Sequence, residues 1–290
     1  MKYLDPKADL TFKKIFGNHP KRLISLLNAL LPLSDEEQIR EIKYLPTELV
    51  LQLEGGKNTI VDVLCTDVRD RKFCVEMQME WSDAFQQRVL FNASKLYVSQ
   101  AKKGGKYSEL QPVYSLNLVN DIFAHDTPDF IHNYRIVHDK DSYKVIEGLH
   151  FTFIELPKFT PHSIADKRMM VLWLRFLTEI NSNTKDIPAD LLNDPEIGKA
   201  VEDLEVSGFT DAELRAYDKF WDSVSVERTL LDDRYQKGMK KGRAEGIEEG
   251  MSQRSLEIAR KMLAKGMDEA SIMDMTGLTA EDIKLLKAEM

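Results

Sequence analysis

The chain has 290 residues, with 40 Lys+Arg against 48 Asp+Glu and a formal net charge of −8; 43% of it is hydrophobic and 30% charged. Such proportions build a globular core and exclude collagen-like or disordered chains, while the only cysteines, Cys65 and Cys74, exclude a disulfide framework or a Cys-rich zinc site. No apolar run approaches the ~18–20 residues of a membrane span, and the opening MKYLDPKADL lacks the apolar stretch of a secretory signal, so the expectation is a cytoplasmic protein in a reducing compartment with no membrane partner.

Asp9–Phe16 reads as a helix, with Phe12 and Phe16 four apart on one face. Gly17-Asn18-His19-Pro20 interrupts it, and Lys21–Leu31 is a second amphipathic helix ended by Pro32. Ser34 followed by Asp35-Glu36-Glu37 offers an N-cap and an acidic first turn for a short helix. The period then changes. Thr47–Leu53, Thr59–Val68 and Lys72–Met79 are short runs of strand-forming residues, separated by Gly55-Gly56-Lys57-Asn58 and by Arg69-Asp70-Arg71, and they predict a three-strand antiparallel meander. Ala84–Gln100 is a long helix with Phe85, Val89, Ala93, Leu96 and Tyr97 spaced for burial. Val113–Leu118 is a further strand, and Tyr134–His138 and Phe151–Leu156 are two more. Helix, three strands, helix, strand predicts an α/β core with a mixed sheet.

After Pro161 the texture is helical: Asp166–Ile180 carries Met169, Met170, Trp173, Phe176 and Leu177, and helices are expected around Leu191–Leu204 and Thr210–Val224. From Arg234 the composition shifts again, with Gly238, Gly242, Gly246 and Gly250 recurring every four residues. Leu256–Lys265, Asp268–Thr276 and Thr279–Ala288 read as three short helices broken at Gly266 and Gly277.

The chemistry concentrates on the meander. Asp62 interrupts the apolar run Ile60-Val61-Asp62-Val63-Leu64, and strand alternation puts Glu76 and Gln78 on one face. A buried carboxylate is costly unless paired or metal-bound, and two on neighbouring strands repel unless a cation lies between them. Hard oxygen ligands on a rigid sheet suit magnesium, with manganese as the alternative. Such an ion polarises a phosphoryl oxygen and lowers the pKa of an attacking water. The same three residues also read as polar side chains on the solvent face of half-buried strands.

Register separates the two readings. Directly paired residues of an antiparallel hairpin share a face, so Asp62 can face with Glu76 only if it pairs with an even-numbered residue. A two-residue turn at Arg69-Asp70 would pair Asp62 with Met77 and send the two acids to opposite faces. A shared site therefore requires an odd loop, such as Val68-Arg69-Asp70, or a bulge. That register also points Cys65 and Cys74 to opposite faces. Lys13, Gln87 and Arg88 are candidates for phosphate contact and read equally well as surface residues. Lys102, Lys103 and Lys106 flank Gly104-Gly105 in a basic turn that suits a DNA backbone, or is simply solvated.

Asp9-x-x-Phe12-Lys13, Asp62, Glu76-Met77-Gln78, the helix with Arg88 and Tyr97, and Gly105-Lys106-Tyr107 leading into Val113–Leu118 follow one another in a set order. In that order the chain resembles the Rpn family of recombination-promoting nucleases, also described as PD-(D/E)XK nuclease family transposases. The resemblance covers roughly residues 1–160. It implies a restriction-endonuclease-like α/β fold and magnesium-dependent hydrolysis of DNA phosphodiesters. Asp62 and Glu76 would be the metal ligands, Gln78 would stand in place of the usual catalytic lysine and orient a water, and Asp9 would be an auxiliary acid. Val61, not proline, precedes Asp62, and Gln78 carries no fixed charge.

The glycine row costs about 1 kcal/mol per residue in a helix relative to alanine. It is therefore either a linker or a helix that approaches another closely, a second copy being the simplest partner. Arg234, Lys237, Lys240, Lys241 and Arg243 suit DNA. Thr276-Gly277-Leu278-Thr279 resembles the turn of a helix-turn-helix unit, but Glu281 and Asp282 would repel phosphate, which favours a packing or assembly module.

The expected organisation is thus a nuclease-like domain at 1–160, a helical extension packed on it at 161–230 and a Gly-repeat helical tail at 231–290. The expected function is a magnesium-dependent DNA endonuclease associated with transposition or recombination, homo-oligomeric through its C-terminal helices. The alternative is a non-catalytic DNA-binding or assembly protein on the same fold. The acidic excess falls in 126–230, so the net charge does not weigh against DNA at the proposed core.

Overall fold

Phe12 and Phe16 of helix α1 (Asp9–Phe16) are fully buried, their ring centroids 4.9 Å apart. Helix α2 (Pro20–Leu30) starts on a proline, which has no N–H to leave unpaired at a helix start. Ser34 and Glu37 form a capping box around the single helical turn Asp35–Glu37. The computed structural model describes residues 2–49, 59–161 and 168–288.

The main sheet has six strands, β1 (Ile42–Tyr44), β4 (Val63–Asp67), β5 (Lys72–Gln78), β6 (Val113–Val119), β8 (Asp141–Glu155) and β7 (Ile131–His138), in that spatial order. The β1–β4, β4–β5 and β7–β8 pairs are antiparallel, whereas β5–β6 and β6–β8 are parallel. Helix α3 (Asp83–Ser99) is the crossover that a parallel β5–β6 pair requires. Two short strands, β2 (Glu48–Leu49) and β3 (Thr59–Ile60), pair separately. The mixed sheet and flanking helices match the expected fold class.

The meander departs from expectation in two respects. Thr59–Val68 is not one strand: it breaks at Val61-Asp62 into β3 and β4. The neighbour of β4 opposite β5 is β1, while the described strand within Thr47–Leu53, Glu48–Leu49, pairs antiparallel with Thr59–Ile60 as expected, outside the main sheet. Ile42-Lys43-Tyr44 is too short to show a period, and a tertiary contact helps hold it, the Tyr44 hydroxyl donating to the Phe16 carbonyl at 2.6 Å. The expected turn Gly55–Asn58 lies outside the described residues.

The β4–β5 register pairs Val63 with Val75, Leu64 with Cys74 and Cys65 with Phe73. It closes with the Asp67 N–H donating to the Arg71 carbonyl, around the three-residue loop Val68-Arg69-Asp70. Asp70 takes a left-handed φ of 59°, which aspartate tolerates better than most residues. The Asp67 carboxylate accepts the N–H groups of Arg69 and Arg71 and pairs with the Arg71 guanidinium at 2.7 Å. The loop is odd, as a shared face for Asp62 and Glu76 requires. Cys65 and Cys74, both free thiols, enter different clusters of the core.

One sheet face, with Val63, Cys65, Phe73, Val75, Leu116 and Leu118, shares a core with α1, α2, α4 (Arg168–Glu179) and α6 (Pro195–Glu202). Trp173 of α4 packs 5.4 Å from Phe16 and 5.6 Å from Phe176. The opposite face, with Leu64, Cys74, Val113, Val119 and Phe153, packs on Phe85, Val89, Ala93 and Leu96 of α3. The four-residue helix α5 (Ala189–Leu192) adds Leu191 to the first core.

The chain divides into two compact units, Met1–Val224 and Ser225–Met290. The division falls within helix α7 (Asp211–Ala264), which continues through the glycine row where a linker was one expectation. Among the described residues, no heavy atom beyond the local helix backbone lies within 4 Å of where a Cβ on Gly238, Gly242, Gly246 or Gly250 would stand. In the second unit, Ala259 and Met262 pack with Ile272 of α8 (Glu269–Thr276) and with Ile283 and Leu286 of α9 (Ala280–Ala288). Gly277 ends α8 in the left-handed region, φ 71°, a conformation that glycine adopts without a Cβ penalty. Among the described residues no helix is long and apolar enough to cross a membrane.

Candidate active site

Asp62 occupies the break between β3 and β4, where its carboxylate Oδ2 accepts the Met77 backbone N–H at 2.7 Å. That bond draws Asp62 against β5, on the strand that carries Glu76 and Gln78. Asp9, from the first turn of α1, reaches the same place. All four residues line one cleft of about 460 Å³ together with Lys7, Ile60, Met77, Arg88 and Phe220. The cleft lies toward the carboxyl end of β5, one of three mutually parallel strands, which is where open α/β sheets gather ligands.

The electrostatics follow from burial. Burial pushes the Asp62 carboxyl up to about 6; the Met77 N–H and Lys13 oppose the rise, and Asp9 and Glu76 add to it. Glu76 is 4% exposed, and burial likewise raises its pKa against the pull of Asn92 and Arg88. Its Oε1 accepts from the Asn92 side-chain amide at 3.0 Å, and its Oε2 stands 3.7 Å from the Arg88 guanidinium. The Lys13 ammonium is 2.5 Å from Asp9 and 3.9 Å from Asp62, so a cation already lies between those two acids.

Gln78 has both ends of its amide engaged. Its Oε1 accepts from Arg88 Nη2 at 2.8 Å, and its Nε2 donates to the Glu80 carbonyl at 2.9 Å. Helix α3 supplies the surrounding groups from one face, Phe85, Arg88 and Asn92 standing at i, i+3 and i+7. Asn92 was missed in the sequence; an amide within the run Phe85, Val89, Ala93, Leu96 was the available signal. Lys7 was missed too, and it is committed elsewhere, to Asp5 at 3.0 Å and to the Leu177 carbonyl at 3.1 Å.

The other predicted contacts are not brought here. Gln87 is exposed on α3, outside the cleft lining. Lys102, Lys103 and Lys106 line a different concavity with Asp70 and Lys72. Lys72 begins β5 and Gln78 ends it, so that concavity lies about 20 Å along the strand from the cleft.

Among the described residues no three His, Cys, Asp or Glu side chains are grouped to hold a metal by themselves. Magnesium does not need such a cage: it takes one or two carboxylates and fills its octahedron with water and substrate phosphate. Two buried carboxylates lining one cleft, where burial disfavours their charged forms, are a hard-oxygen donor set that fits a divalent cation.

A mixed six-strand sheet with helices on both faces is the architecture of the restriction-endonuclease-like fold class. A family model described as PD-(D/E)XK nuclease family transposase matches residues 6–229, most of the chain, and the chain belongs to that family. A second model, the Rpn/YhgA-like nuclease family C-terminal HTH domain, matches residues 252–288. The turn at Gly277 therefore lies in a helix-turn-helix domain, where the acidic start of α9 had favoured an assembly module. Comparison with curated proteins and with solved structures gives no match. The family assignment supports a nuclease with a role related to recombination, and nucleases of this class typically use divalent metals.

Proposed function

We propose that the protein is a cytoplasmic, magnesium-dependent DNA endonuclease, manganese serving as an alternative ion, with its chemistry within residues 1–160. The observation that carries this reading is the convergence of Asp9, Asp62, Glu76 and Gln78, from three separate stretches of chain, on one cleft. Asp62 and Glu76 would hold the ion, which when bound would neutralise phosphate charge and acidify a water. The chain's own residues then fix the geometry. The Met77 N–H orients Asp62, Asn92 orients Glu76, and Asp9 holds Lys13 beside Asp62 as an auxiliary acid. Hydrolysis is an in-line attack of water on phosphorus, with the opposite P–O bond breaking.

Plasmid relaxation tests the reading. Wild type should nick supercoiled DNA in magnesium and not in EDTA, and Asp62→Ala should not nick in either. Nicking by both proteins, or by neither, removes the assignment of hydrolysis to this cleft and leaves DNA binding or assembly on a nuclease fold.

The C-terminal unit would deliver the nuclease to DNA through its helix-turn-helix and join copies of the chain through α7. Residues 225–254 of α7 are exposed throughout. A basic block, Arg234 to Arg243, precedes the acidic Glu245, Glu248 and Glu249, so two antiparallel copies would set opposite charges together. In a monomer, Gly242→Ala and Gly246→Ala should each stabilise the helix by about 1 kcal/mol. If the row packs on a second copy, the same changes should lower the sedimenting mass at fixed concentration. Analytical ultracentrifugation with circular dichroism separates the two outcomes.

A further inference from the structure

Gln78 stands where the wider nuclease class carries a lysine, so position 78 itself brings no positive charge to the cleft. The geometry restores it from the helix. Arg88 Nη2 is 2.8 Å from Gln78 Oε1 and 3.7 Å from Glu76 Oε2, and its guanidinium carbon lies 5.0 Å from the Phe85 ring centroid. The guanidinium is thus held by an amide, a carboxylate and an aromatic ring, yet its side chain stays 46% exposed and it lines the cleft. Gln78 is anchored in turn by the Glu80 carbonyl. A lysine at position 78 would bring its ammonium against this guanidinium, whereas a glutamine oxygen accepts from it.

We propose that Arg88 is the cation that contacts the scissile phosphate, and that Gln78 is a positioning residue acting through Arg88 rather than on the attacking water. This rests on the hydrolase reading above. A guanidinium offers several donors in a fixed planar fork that matches two phosphate oxygens. Two of the sides from which it could otherwise move are closed by Gln78 and Phe85. It makes no bond to phosphorus and takes no proton; it stabilises the negative charge that gathers on the non-bridging oxygens as water attacks.

The test is a double-variant cycle on a supercoiled plasmid, with single-turnover rates at saturating protein in magnesium. Arg88→Ala should slow cleavage about 100-fold, the scale of losing one preorganised donor. Gln78→Ala should slow it about 10-fold, and the double variant should be no slower than Arg88→Ala alone. Arg88→Lys should recover part of the loss, and Gln78→Lys should slow the enzyme rather than speed it. A second readout needs no catalysis. In fluorescence anisotropy of a labelled duplex in EDTA, Arg88→Ala should reduce the slope of log affinity against log salt by about 1, and Gln78→Ala should leave it unchanged. A double variant slowed by the product of the two single factors would place Gln78 on an independent step and overturn the proposal. An Arg88→Ala protein with wild-type rate and wild-type salt slope would do the same. Failure of the hydrolase reading looks different: wild type does not nick, or Asp62→Ala nicks as well as wild type, and the role of Arg88 falls with it.

Discussion

In EDTA at pH 8, Asp62→Asn is expected to resist denaturant better than wild type while failing to nick DNA in magnesium. The Asp62 carboxyl has its pKa pushed up from 3.8 to about 6 because burial disfavours its charged form. An acid whose folded pKa exceeds its unfolded pKa weighs against folding wherever it is ionised. The penalty is fully present above pH 6, shrinks as pH falls toward 3.8, and is absent below that. Asparagine removes the charge and keeps an oxygen to accept the Met77 N–H. The gain should be about 3 kcal/mol at pH 8 and vanish near pH 3.5. Magnesium should stabilise wild type and not the variant, since ligand binding to the folded state adds to stability. With Asp62 holding the ion as proposed, its loss would remove several kcal/mol of transition-state stabilisation, about 1000-fold in rate or more. Urea titrations at pH 8 and pH 3.5, with and without magnesium, check the first half, and plasmid relaxation the second. Equal urea midpoints at pH 8 in EDTA would refute the buried-charge account.

Glu155→Ala is expected to destabilise the protein by about 3–5 kcal/mol, as removal of one partner from a buried charged cluster does. The Glu155 side chain ends β8 and is wholly buried. Its Oε1 accepts the Phe123 and Ala124 N–H groups at 2.6 and 3.0 Å, and its Oε2 meets His132 at 2.8 Å and Lys158 at 2.6 Å. Lys158 also donates to the carbonyls of Ala124 and Thr127, so one carboxylate and one ammonium tie down the connection from β6 to β7. Burial alone would raise the Glu155 pKa, but Lys158, the Ala124 N–H, His132 and the Phe123 N–H together hold it below the usual glutamate range. A depressed acid contributes stability above its unfolded pKa and loses it as pH falls through its folded pKa. The gap between wild type and Glu155→Ala should therefore be widest near neutrality and narrow in acid. Urea unfolding at pH 7 and pH 3 reads it directly.

Periodicity reached the elements whose stability is local. The i, i+4 pair Phe12 and Phe16, the apolar ladder of α3 and the runs of β5 and β6 announce themselves because amphipathic spacing is what burial of one face demands. It did not reach β1, whose three residues carry no period, or the break at Val61-Asp62, which is seen only once Met77 donates to the carboxylate. Glu155 read as part of a strand, because nothing near it in the chain shows that Lys158, His132 and two loop amides converge on it. The glycine row was ambiguous for a related reason: its helix is a matter of backbone, and the value of its missing side chains depends on a neighbour.

The candidate site divides the same way. Asp62, Glu76 and Gln78 were legible as polar residues on neighbouring strands, Asp9 joined them through the family resemblance, and the parity of strand pairing required an odd loop or a bulge before Glu76 if the two acids were to share a face. That much follows from sequence alone, because alternation and hairpin parity are properties of any β-ribbon. Tertiary structure alone decided that α1 delivers Asp9 and Lys13 to Asp62, that α3 presents Asn92 to Glu76 and Arg88 to Gln78, and that Lys102–Lys106 lies at the far end of the strand. Contacts between residues 10 to 53 positions apart depend on how helices pack across a sheet, and no local spacing encodes that packing. The charge that seemed absent at position 78 shows the difference: the sequence records a glutamine, and only the fold sets a guanidinium beside it.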